Sequence, residues 1–174
     1  MRLILPGIPK AMPRQRVNIN KKTGVPHHYM PKQNVSWTEL AREQMRIMMN
    51  VNRNGQMFEG PVCMFIIHAW KKPQYLLKKT NKERLLDIWC PKRNGDLDNL
   101  MKNICDAGNG ILYKDDAQVC LSGQGKIYLK EGEEPRTEIL IEEIKSDPRH
   151  LRSLWGDLFE YYTVSSLETE GVEV

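Results

Sequence analysis

The sequence predicts an α/β protein with one main domain, on three observations. Apolar runs of strand length recur near residues 2–5, 61–70, 117–129 and 135–144. Two segments, about 37–50 and 98–108, carry apolar residues at helical spacing, and a further helix is expected after 147. The 174-residue length suits one ordinary core.

Composition supports that class. Apolar residues make up 40% and charged residues 28%, which is globular, and no run approaches the ~18 apolar residues of a membrane span. The start, MRLILPGIPK, is broken at Pro6 and Gly7, too early for the apolar region of a secretory signal, so the expected location is the cytoplasm. Cys63, Cys90, Cys105 and Cys120 form no CxxC pair, which points to reduced packing thiols.

The elements follow in order. A short strand near 2–5 leads into residues 5–32, whose five prolines and scattered basic residues read as an extended basic arm. Ser36 with Glu39 has the spacing of a capping box, and Leu40, Met45, Met48 and Met49 then predict a helix over 37–50 with methionines filling the core. PVCMFIIHAW, 61–70, is apolar on both alternating faces, as in a central strand covered on each side, with His68 buried and hydrogen-bonded. Residues 71–95 are dense in Lys and Arg, with Tyr75 and Trp89 among them. The strands 117–129 and 135–144 are joined by KEGEEP, which suits a β-hairpin. Asp147, Pro148 and the apolar spacing beyond predict the last helix, followed by an acidic tail.

Charge is unevenly distributed. Residues 1–93 hold 18 Lys+Arg against 5 Asp+Glu, a balance of +13, whereas residues 94–174 hold 8 against 17, a balance of −9. A basic half suits a polyanion, because neutralised phosphates release counterions; a solubilising surface is the alternative. Lys10, Arg14, Arg16, Lys92, Arg93 and Lys126 are the candidate DNA contacts.

The acidic half opens on DLDNLMKNICDAGNGILYKDD, five aspartates in residues 96–116. On a helix over 98–108, Leu97, Leu100, Met101, Ile104 and Gly108 share one face, and Asp98, Lys102 and Asp106 another. Asp98 suits a cap and Asp106 is expected to pair with Lys102. Capping does not explain Asp96, Asp98, Asp115 and Asp116 together, since unpaired carboxylates held close repel. A divalent cation would compensate: Mg2+ takes oxygen ligands, often one or two carboxylates completed by water and substrate phosphate. Metal on Asp96, Asp98 and Asp116 could activate water against a phosphodiester, Lys102 could stabilise the developing charge, and Asn99 could orient a ligand or fill the first helical turn. A solvated loop with helix caps is the other reading.

DLDNLMK followed by CDAGNGILYKDDAQV resembles the signature of the RusA family of Holliday junction resolvases. PGIPKAMPRQRV, the YMPKQ step and the strand near 62–70 are also similar, so the likeness spans roughly residues 3–144. It implies a mixed β-sheet flanked by α-helices over residues 1–145, with 146–174 as a helical extension and acidic tail. It also implies a homodimeric, Mg2+-dependent endodeoxyribonuclease, with Mn2+ as a substitute, that recognises four-way junctions by shape and nicks them in symmetric pairs during recombination and repair. On that likeness Asp96, Asp98 and Asp116 are the metal carboxylates and Lys102 the catalytic lysine, with Asp115 and Asn99 in support. A family member can carry arginine just before the first aspartate, where this chain has Gly95. A broader flap or branched-DNA nuclease and a non-catalytic nucleic-acid-binding module are the alternatives.

Overall fold

The computed structural model describes residues 1–12, 16–21, 23–29, 32–76 and 95–145. In chain order these form β1 (Arg2–Pro6), β2 (Arg16–Ile19), β3 (Pro26–Tyr29), α1 (Lys32–Arg53), β4 (Val62–Trp70), α2 (Leu97–Gly108), β5 (Val119–Tyr128) and β6 (Arg136–Glu143). The chain divides into two units, 1–142 and 143–174; of the second, only residues 143–145 are described. The helix expected after 147, the acidic tail, Arg14, Lys92 and Arg93 lie outside the described residues. Among the described residues no helix is long and apolar enough to cross a membrane.

The main sheet is mixed, in the order β1-β6-β4-β5. β4 runs parallel to β5, with Phe65 opposite Gly123 and His68 opposite Lys126, while β1 and β6 are antiparallel. Cys63 bonds to the Glu142 carbonyl and His68 lies 3.4 Å from Thr137, so β6 also runs antiparallel to β4. The expected β5–β6 hairpin is therefore not formed, because β4 lies between the two strands. All nine residues of β4 are buried, and a strand apolar on both faces gains most from a central place with a partner on each edge. The connection from Leu129 to Pro135 is long enough to step across it.

The core explains the helices. Leu3, Leu5, Met64, Ile66, Ile139 and Ile141 on the sheet share one buried cluster with Met45 and Met49 of α1 and Ile104 and Ala107 of α2. The methionines of α1 fill this core as expected, but Leu40 is 66% exposed because the buried stripe runs through Ala41 and Met45 instead. α1 also begins at Lys32, so Ser36 lies inside the helix rather than capping it. Nothing in Lys32–Val35 breaks a helix, and the limiting residue in the sequence is Pro31, which a helix tolerates only at its start. The arm is not extended throughout: β2 and β3 pair as an antiparallel hairpin, closed by Gly24 at φ +68°.

On the far face of β4 the Phe65 ring packs against Gly123, where an added Cβ would stand 2.7 Å from Phe65 Cδ1. His68 is buried as predicted, with Nδ1 facing Thr137. Burial lowers its pKa to about 4, reinforced by the Lys126 charge and only partly offset by the Gln124 side chain.

Candidate active site

The first carboxylates stand at the start of α2, and the chain reaches them through a constrained step. Gly95 has φ +90°, and a Cβ there would lie 2.6 Å from the Ala11 Cβ. Lys126 Nζ donates to the Gly95 carbonyl at 2.9 Å. This is a physical reason for glycine before the first aspartate. Asp96 is then the N-cap residue, extended at φ −78° and ψ 147°, and its side chain makes no capping bond. The expected cap at Asp98 is thus one position pair too late, since Asp98 already lies in the first helical turn. Both are exposed, at the end of a helix whose dipole favours negative charge.

The arm is fastened along α2. Met12 N donates to the Asn99 carbonyl at 2.9 Å, Asn103 Nδ2 to the Lys10 carbonyl at 2.8 Å, and Thr38 Oγ1 to Asn103 Oδ1 at 3.1 Å. Asn103 is fully buried on the core side of α2, beside Leu100 and Ile104. Leu97, assigned to that face from spacing, is 37% exposed, because it lies in the first turn beyond the packed core. Lys102 is exposed, and among the described residues no ion pair joins it to Asp106. Lysine N-terminal to its acid is the weaker order for an i, i+4 pair.

The third carboxylate arrives on the return of the chain. Tyr113 is fully buried with its hydroxyl donating to the Cys105 carbonyl, and it sits under Gly108, where a Cβ would meet that hydroxyl at 2.8 Å. After it, Asp116–Gln118 forms a 3-10 turn. Asp115 caps this turn by accepting from Ala117 N at 2.9 Å, and the Gln118 side chain closes the reciprocal half of a capping box. Asp115 is therefore occupied structurally, whereas Asp116 is exposed and its side chain has no hydrogen bond or ion pair among the described residues.

The turn that carries Asp116 packs against α2. Burial pushes the Cys105 thiol up, and the charges of Asp116 and Asp106 raise it further. The Tyr113 hydroxyl is raised by burial, then by Cys105 and the same two aspartates. Neither group can serve as a base near neutral pH, and neither can neutral His68 while buried.

Of the residues expected to act, Asp96, Asp98, Asn99 and Lys102 lie on one end of α2, and Asp116 on the turn that touches that helix. Among the described residues no three His, Cys, Asp or Glu side chains are drawn together into a ready metal cage. The donors nonetheless suit a hard cation, being carboxylate oxygens unspent in capping at Asp96 and Asp116, and Mg2+ commonly needs only one or two of them beside water and substrate phosphate. Lys126, read as a DNA contact, is half-buried and donates to the Gly95 carbonyl. Lys10 is half-buried, with its carbonyl held by Asn103, and Arg16 begins β2. Sequence reasoning missed Asn103 and Gln118. The Asp115-x-x-Gln118 spacing was a legible capping-box signal.

The family model described as "Endodeoxyribonuclease RusA" matches residues 6–142. A relative from Bacillus subtilis (strain 168), "Uncharacterized protein YqaN", is 28% identical over 142 residues, covering 80% of this chain and 94% of that protein.

Proposed function

Because this chain belongs to the RusA family of endodeoxyribonucleases, we propose that it is a Mg2+-dependent, structure-selective nuclease that resolves four-way DNA junctions in recombination and repair. The observation that carries the reading is the pair of exposed carboxylates, Asp96 and Asp116, left uncommitted by the very turns that fix their backbones. Asp96, Asp98 and Asp116 would hold the cation, and Mn2+ would substitute for it. When bound, Mg2+ supplies Lewis acidity toward a phosphodiester and neutralises charge at an otherwise repulsive acidic site.

The remaining work falls to the chain itself. Lys102, one turn beyond Asp98 and exposed, stabilises negative charge developing on the phosphoryl oxygens. The arm is anchored at Lys10 and Met12 to α2, and its basic residues would supply sequence-independent grip on the DNA backbone. A homodimer would present two such sites related by a two-fold axis, matching the near two-fold symmetry of a junction. Residues 1–145 are the nuclease domain and 146–174 an extension, and the reaction takes place in the cytoplasm.

The test is cleavage of synthetic four-way junctions, flaps and plain duplex at one salt concentration, with Mg2+ or EDTA, mapping nicks on every strand. Paired symmetric nicks on junctions that require the cation are expected. Unpaired nicks, or flaps cut as well as junctions, would favour a broader branched-DNA nuclease.

A further inference from the structure

We propose that Gln118 is a positioning residue for Asp116, an assignment that rests on Asp116 being a cation ligand. Its amide ties the Asp116 turn to the segment that enters β4. Oε1 accepts from Lys114 N at 2.9 Å and Asp115 N at 3.3 Å. Nε2 lies 3.1, 3.1 and 3.0 Å from the carbonyl oxygens of Phe58, Glu59 and Gly60 and donates to all three, so at least one proton is shared.

The segment it grips is itself tied to the core. Phe58 is buried, its backbone N–H donates to the Leu112 carbonyl at 2.8 Å, and the Arg53 guanidinium covers its ring at 4.0 Å. On the other side, Asp115 Oδ1 accepts from Ala117 N and the Asp115 carbonyl from Gln118 N. The backbone N–H groups at 114, 115, 117 and 118 are all engaged, and Asp116 stands between them with its carboxylate exposed. The geometry requires an acceptor and a donor on one planar group at this reach. Glutamate would face three carbonyl oxygens without a proton, and asparagine falls one methylene short.

Residues that orient metal ligands from behind typically change metal affinity by roughly 10-fold to 100-fold when replaced. The experiment titrates Mn2+ against wild type, Asp116→Asn, Gln118→Ala and Gln118→Asn without DNA, reading free Mn2+ by electron paramagnetic resonance, with unfolding midpoints in EDTA alongside. Both Gln118 variants are expected to stay folded and to bind Mn2+ about 10-fold or more weakly, with junction affinity in EDTA unchanged. Weakened binding in Asp116→Asn but wild-type binding in the Gln118 variants would overturn the positioning role while leaving the site intact. Wild-type binding in Asp116→Asn would overturn the site and the positioning role together. Loss of the fold in both Gln118 variants would overturn the proposal in favour of a purely structural residue.

Discussion

Lys126 Nζ donates to the carbonyl oxygen of Gly95 at 2.9 Å, and the peptide it holds leads directly into Asp96. A lysine near the C-terminal end of β5 thus holds the peptide from which α2 and its first carboxylate start.

Replacing Lys126 with methionine should therefore impair cutting more than binding. We expect cleavage to fall roughly 10-fold to 100-fold, since a small misplacement of a reacting group has effects of that order. The salt dependence of junction binding, measured in EDTA, should keep its slope; a slope lower by about one would mark Lys126 as a phosphate contact instead.

Gly95→Ala should destabilise the protein by about 1–3 kcal/mol in urea unfolding, the range for backbone strain. The cause is twofold: a side chain at φ +90°, and a Cβ 2.6 Å from that of Ala11 on the arm. An unchanged urea midpoint would show that this step is not constrained.

Stability should depend on pH in two windows. His68, with its pKa lowered to about 4 by burial, stays neutral in the native chain while unfolded histidine protonates below about 6.5. Its contribution is present above pH 6.5 and is lost as pH falls toward 4, on the order of 3 kcal/mol. Burial would raise the Glu138 carboxyl, but hydrogen bonds and charge from Arg136 and Arg2 bring it below its usual value of 4.5. That contribution is present above pH 4.5 and is lost at lower pH, as the folded pKa is crossed. Urea midpoints from pH 8 to 3 for wild type, His68→Asn and Glu138→Gln would separate the two: each variant should flatten only its own window.

Much of this arrangement was legible in the residues. The uniform apolarity of 61–70 foretold a central strand, and the acidic cluster singled out α2 and the turn after it. Strand pairing was not legible, because KEGEEP allows a hairpin locally while the non-local demand of β4 for two partners decides the order. The start of α1 was misread because Ser36 and Glu39 have cap spacing wherever they occur, even inside a helix. Asn103 looks like an ordinary polar residue in the sequence, and the Asp115-x-x-Gln118 spacing signals only a cap; the wider importance of both arises from carbonyls at Lys10 and at 58–60, far away along the chain.

The most direct test of the central claim is Asp98→Asn assayed on a four-way junction for both cleavage and binding. Cleavage should fall by about 100-fold or more, in the range expected when charge stabilisation at the reacting centre is removed. Junction affinity should be retained or tightened, since a negative charge near phosphate has gone. Full cleavage by this variant would show instead that the carboxylates of 96–116 are structural and that the cutting lies elsewhere.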